Sequence, residues 1–234
     1  MKVMEYCFTD YYHQYMTIEA DALTDVCKET VQVREDDCYA LCSAFVGWDG
    51  MASFRILAIG PSWEECTRGM ELKEILGILT ADQVMDCEAR LVEPDYEMIE
   101  KNRFYLEADE KNCDDDLEET RHDSRLDDLR DPWYPDRVAV GIVSSQMLYE
   151  YAMQITGVKG PFLTGILDEE PSEEIGVHMD DQIYALPYIG DGEFSLFALF
   201  AGSEMNEVQQ EAIDKIISET NRMGIDFNGV SIKN

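Results

Sequence analysis

The segment from Glu107 to Asp131, EADEKNCDDDLEETRHDSRLDDLRD, carries twelve carboxylates against four basic side chains. Its only apolar anchors are Ala108, Cys113, Leu117, Leu126 and Leu129. Ordering a residue costs roughly 1–2 kcal/mol of backbone entropy, and so little apolar surface cannot offset it. The segment therefore reads as a solvated connector over 107–131, dividing the chain into two hydrophobic units, 1–106 and 132–234.

Each unit contains a recognisable hairpin. Cys38 to Val46 and Ala52 to Ile59 are apolar, β-prone runs joined by Gly47-Trp48-Asp49-Gly50, and an Asp-Gly pair supplies the positive φ a tight turn needs. Gln182 to Ile189 and Glu193 to Ala201 repeat the pattern around Gly190-Asp191-Gly192. A shift of 142 residues superposes Asp49-Gly50, Ser53, Leu57 and Gly60 on Asp191-Gly192, Ser195, Leu199 and Gly202. This is the pattern of a duplicated module, or of a local grammar that unrelated hairpins share. Met1 to Val33 mixes two short β-like pieces, at 2–8 and 13–18, with a helix near 21–29 and a strand at 31–33.

Helices are expected after both hairpins. Ser62 with Glu65 makes a capping box for a helix from Trp63 to about Leu79, and Thr80 with Gln83 starts a second, reaching Leu91. Tyr96, Ile99 and Phe104 mark a partial apolar stripe over 95–105. In the second unit, Val138 to Val143 is an apolar run, Ser144 or Ser145 caps a helix over 146–155, and Phe162 to Leu167 is a strand. Residues 168–181, with seven acids and no Lys or Arg, read as an exposed loop. A helix over 204–222, closed by Gly224, and a strand over 225–232 complete the chain. The fold class is α+β: two units, each an antiparallel hairpin packed by amphipathic helices.

A hydrophobic content of 45 % is that of a folding chain, and the seven cysteines form no C-x-x-C pair, so they read as buried thiols in a reducing cytoplasm. No leader-like segment and no apolar run of membrane-spanning length is evident. Fifty acids against eighteen bases give a net charge of −32, which repels nucleic acid and anionic membrane and attracts basic surfaces.

Motifs of catalysis are absent. His178 near Asp180 and Asp181 suits acid–base or metal chemistry by residue type, yet sits in an acidic loop, and His13 and His122 have no metal-ligand spacing. Asp114, Asp115, Asp116, Glu118 and Glu119 offer hard-cation oxygens without the spacing of an EF-hand loop. Ser144-Ser145 lacks the glycines of a nucleophile elbow, and no phosphate-cradling glycine loop is present. No catalytic residue, metal or cofactor is assigned. The expected function is that of an acidic, non-enzymatic cytoplasmic protein that binds a basic protein partner: an inhibitor, an immunity factor or a nucleic-acid mimic. Its partner-binding residues are Trp48, Asp114, Asp115, Asp116, Glu118, Glu119, Trp133 and Tyr134, since Trp and Tyr lead interface hot spots. Two alternatives stand beside it: a small-molecule-binding or sensor domain with Tyr184, Tyr188, Phe194 and Phe197 around a pocket, and a divalent-metal-dependent hydrolase. Oligomeric state is left open.

Overall fold

In a computed structural model, residues 1–21, 23–27, 33–67, 76–93, 96–110, 113–144, 147–172, 174–190, 193–201, 211, 214–219, 222 and 227 are described. The chain is α+β and divides into two units, Met1–Cys113 with Pro132–Pro135, and Asp114–Asp131 with Asp136–Asn234.

The first unit is built on an antiparallel five-stranded sheet. Its strands are β1 (Tyr15–Glu19), β2 (Tyr39–Val46), β3 (Ala52–Gly60), β4 (Gly77–Thr80) and β5 (Ala89–Val92), in the order β4-β3-β2-β1-β5. Strands β2 and β3 are the first hairpin read from the sequence. Every residue of β3 is buried, because the sheet is covered on both faces; the strand is apolar except for Ser53 and Arg55. Phe54 and Ile56 face a core with Met16, Ile18 and Leu79, each apolar side chain contributing about 1.5–3 kcal/mol on burial.

The helices of this unit are shorter than expected. Helix α1 is Phe8–Tyr11, next to a stretch that reads as β-like, α2 is Leu23–Val26, α3 is Trp63–Thr67 and α4 is Ala81–Val84. The strand expected at 31–33 lies partly outside the described residues, as do 68–75 of the helix after Ser62. The far end of that expected helix is instead strand β4, pairing Gly77 with Ile56 and Thr80 with Ser53. Gly77 suits this place because a Cβ there would meet the backbone of Val26, while Ile78 and Thr80 are β-branched. The Thr80–Gln83 capping box is present, with Thr80 N donating to Gln83 Oε1 at 2.9 Å, but α4 ends after one turn and β5 follows.

Helix α5 (Tyr96–Glu110) runs past 105 into the segment read as connector. Its orientation reverses the apolar-stripe expectation, since Tyr96 and Phe104 are 75 % and 78 % exposed while Leu106 and Asp109 are buried. A side-chain pair decides it. Arg55 on β3 donates Nε to Asp109 Oδ2 at 2.6 Å and Nη2 to Asp109 Oδ1, and its guanidinium lies over Phe45 and Tyr105.

The second unit is a closed barrel of β6 (Arg137–Ser144), β7 (Met147–Lys159), β8 (Phe162–Leu167), β9 (Gln182–Gly190) and β10 (Glu193–Ala201), in the order β10-β6-β7-β8-β9. Consecutive strands pair antiparallel, so the first and fifth run the same way and closure is parallel, Phe197 against Gly141. The helix expected over 146–155 is corrected to strand β7: Tyr151, Met153 and Ile155 alternate into the barrel, and β6 and β8 pair on its two sides. Strands β9 and β10 are the second hairpin, its Asp191-Gly192 turn lying outside the described residues. The first hairpin belongs to an open antiparallel sheet and the second to a closed barrel, so the two aligned hairpins share no larger arrangement.

The acidic segment is also corrected. Its later part forms helix α6 (Asp115–Arg121) and a 3-10 helix (Ser124–Leu129), with Thr120, Arg121, Leu126 and Arg130 buried in the second unit. Of the C-terminal helix, residues 214–219 are helical, and Ile216 and Ile217 pack against Phe162 and Tyr184; most of the rest of 204–222, and of the strand expected over 225–232, lies outside the described residues. No helix among the described residues is long and apolar enough to cross a membrane.

Candidate functional site

The β2–β3 turn is a compact, self-bonded structure. Gly47 N donates to Met51 O at 2.8 Å, Gly50 N to Gly47 O at 3.0 Å, and Met51 N to Asp49 Oδ1 at 3.1 Å. Gly50 has φ +78°, which glycine adopts without strain, and a Cβ on Gly47 would lie 2.8 Å from Asp49 Oδ1. The turn thus has little freedom. At its tip Trp48 is 90 % exposed.

Trp133 and Tyr134 lie beside this hairpin. Ala52 N, at the start of β3, donates to Trp133 O at 2.8 Å, which fixes the Pro132–Pro135 segment against the hairpin base. Trp133 packs on the core of the first unit and Tyr134 is 37 % exposed. Three of the aromatic residues nominated from sequence therefore share one region: Trp48 projecting, Tyr134 half-exposed, Trp133 anchoring. Two prolines stiffen the segment that carries the last two.

The nominated carboxylates lie in the second unit and serve a helix start. The backbone oxygen of Asp114 accepts from Leu117 N and Glu118 N, and Asp115 and Asp116 stand in the first turn of α6, where the positive end of the helix dipole favours them. Glu118 Oε1 lies 3.1 Å from His122 Nε2, and Glu119 is exposed. What organises this region is arginine. Arg121 holds Asp136 through two bonds, Nε to Oδ1 at 3.0 Å and Nη2 to Oδ2 at 2.7 Å, both side chains being buried. Arg125 forks onto Asp123 and stacks its guanidinium over Phe194 and Phe227, and Arg130 Nη2 donates to Thr120 O. A charge count on 107–131 could not show this, because Asp136 and the two rings lie outside the stretch.

The four aromatic residues nominated around a ligand do not line one cavity. Tyr184 is buried edge-on to Phe162, and Phe194 packs into the barrel core. Tyr188 is 57 % exposed and meets Phe197 edge-on on the outer face. A groove of about 300 Å³ in the second unit is lined instead by residues that include Arg137, Glu150, Tyr151 and Glu169.

The acid–base candidate His178 is part of a loop closure. Its Nδ1 lies 2.8 Å from Glu170 Oε1, its backbone N donates to Asp181 Oδ2 at 2.8 Å, and Met179 N donates to Glu170 Oε2. The His178 bond holds the Glu170 carboxyl below its ordinary value, with the Met179 N–H adding to it. Asp181 is buried at the loop base, and Asp180 takes a left-handed φ of 66°. No group of three or more His, Cys, Asp or Glu among the described residues is placed to hold a metal. None of the seven cysteines is in a disulfide: Cys42 and Cys66 are buried and Cys7, which the sequence reads as buried, is exposed. Comparison with known proteins adds no relative, since no family model, no curated protein and no solved structure matches this chain.

Proposed function

We propose that the chain is an acidic protein-docking module that binds a basic protein, with the Trp48 tip as its anchor and Tyr134 in the segment held at the base of the same hairpin. The observation that carries this reading is a tryptophan 90 % exposed on a turn held by three hydrogen bonds. A large aromatic side chain carried on a backbone that is already ordered spares the partner the cost of fixing the loop, and Trp is the residue type that leads interface hot spots. The net charge of −32 supplies the other half: it draws a basic partner from a distance and rejects acidic ones. Such a protein acts as an inhibitor, an immunity factor or a nucleic-acid mimic, occupying a surface built for an anionic ligand. Seven cysteines without a disulfide accord with a reducing compartment.

The test is capture from a lysate of the source organism by the tagged chain and by its Trp48→Ala variant, washed at low and high salt. The expected result is one basic polypeptide retained by the parent chain at low salt, released at high salt and lost from the variant. Equal retention of the same polypeptide by the variant, or retention insensitive to salt, overturns the assignment.

A further inference from the structure

The outer face of the barrel carries a surface that the Trp48 tip leaves unexplained. Alternation along β6 sends Val138, Val140 and Ile142 into the barrel core and turns Gly141 outward. Phe197 on β10 is the parallel partner of Gly141, and its ring leans over that glycine from one side while Leu148 of β7 leans from the other. A Cβ on Gly141 would stand 2.9 Å from Leu148 Cδ1 and 3.1 Å from Phe197 Cδ1. On the next strand, the Tyr188 ring meets Phe197 at 5.7 Å and 77°. One apolar belt thus crosses β9, β10, β6 and β7. Although Tyr188 and Phe197 meet and Leu148 flanks the same glycine, Tyr188 and Leu148 remain 57 % and 58 % exposed. Scattered apolar residues on a surface need no explanation, but a contiguous set marks an interaction face.

The charges around the belt select its occupant. Glu150 is the cross-strand partner of Gly141, and Glu193 lies two residues before Ser195, which pairs with Tyr188. Strands β9 and β10 contain no Lys or Arg; of the two bases of β6 and β7, Lys159 stands at the far end of β7 and Arg137 lines the same groove as Glu150. Arg137 is in addition engaged by Asp131 and Asp168. A second copy would bring another charge of −32 to this face and is repelled. We propose that the belt docks a basic amphipathic segment of a partner protein, its apolar side chains on Leu148, Phe197 and Tyr188 and its Lys or Arg side chains against Glu150 and Glu193. This surface belongs to the second unit and the Trp48 tip to the first, and its failure would leave that assignment standing.

The test uses the full chain and a synthetic amphipathic helical peptide of Leu and Lys, with a Ser-and-Lys peptide of equal charge as control. Binding is followed by calorimetry, and the sedimentation of the free chain is measured alongside. The expected result is saturable binding of the Leu peptide alone, unchanged in Trp48→Ala and weakened about tenfold, a loss of about 1.4 kcal/mol, in Leu148→Glu and Tyr188→Glu. The added carboxylates increase attraction for a cationic peptide, so weakening reports lost apolar contact. Leu148→Ser, which changes no charge, should weaken it in the same direction. Unchanged affinity in the belt variants, equal binding of the Ser peptide, loss of binding in Trp48→Ala, or a dimer that Leu148→Glu dissociates would each overturn the proposal.

Discussion

Arg121 and Asp136 illustrate how single residues carry this fold. Both are buried, and the guanidinium forks onto the carboxylate, so removing one partner strands a charge away from water. Arg121→Ala should cost about 3–5 kcal/mol in denaturant unfolding. Arg103→Ala, at an exposed pair with Glu100 and Glu107, should cost less than about 1 kcal/mol. Cys66 makes a second residue-scale case. Its thiol donates to Tyr39 O at 2.8 Å, and burial pushes its pKa up to about 12. Because the native thiol holds its proton more tightly than the unfolded one, this group makes stability fall as pH rises above the ordinary thiol value toward 12. Native chain treated with a thiol reagent near neutral pH should be labelled at exposed Cys7 and spared at Cys42 and Cys66; mass mapping of the labelled sites checks it. Sequence alone shows apolar neighbours around both Cys42 and Cys7 and reads both as buried; that holds for Cys42 and fails for Cys7, which is exposed. Sequence cannot show Asp136 as the partner of Arg121, since fifteen residues of chain carry no distance.

Elements are legible where the information is local. The Asp-Gly turn and the runs beside it define β2 and β3 within a dozen residues, and the same holds for β9 and β10. Strand β7 is not legible, because Met, Leu, Glu, Ala and Gln in 146–154 favour a helix and only pairing with β6 and β8 settles the conformation. The outward turn of Tyr96 and Phe104 on α5 is equally hidden, since it depends on Arg55, 54 residues from Asp109. For the same reason the Trp48 tip can be named from its turn, whereas outward Phe197 looks like any core aromatic in sequence. Close strand approach gives a prediction at this scale. A Cβ on Gly165 of β8 would fall on the carbonyl oxygen of Gln154, which cannot move without breaking the pairing, and on Met153. On Gly141 it would meet only the ends of Leu148 and Phe197. Gly165→Ala should therefore lose about 1–3 kcal/mol of unfolding free energy, and Gly141→Ala clearly less, in the same denaturation experiment.

At the scale of the whole molecule, the two units handle strand edges differently. The barrel closes on itself and has none, whereas the open sheet ends in β4 and β5, each four residues long, too short to template another chain. Composition announces an α+β chain with a strongly negative surface, but it cannot separate a closed barrel from an open sheet, because closure rests on the single parallel pairing of β10 with β6. It also overstates how solvated the acidic segment is, since Arg121, Arg125 and Arg130 bind acids and backbone within the second unit. The charge that remains at the surface is what the docking account depends on. In that account the field of the whole chain sets how fast a basic partner arrives, and the Trp48 anchor sets how long it stays. The most direct measurement is the association and dissociation rate of the captured partner over a series of salt concentrations, for the parent chain and for Trp48→Ala. The account predicts an association rate that falls steeply with salt in both proteins, and dissociation faster in the variant by about 30-fold, the equivalent of a hot spot of about 2 kcal/mol. A salt-independent association rate, or the same dissociation rate with and without the Trp48 side chain, would contradict it.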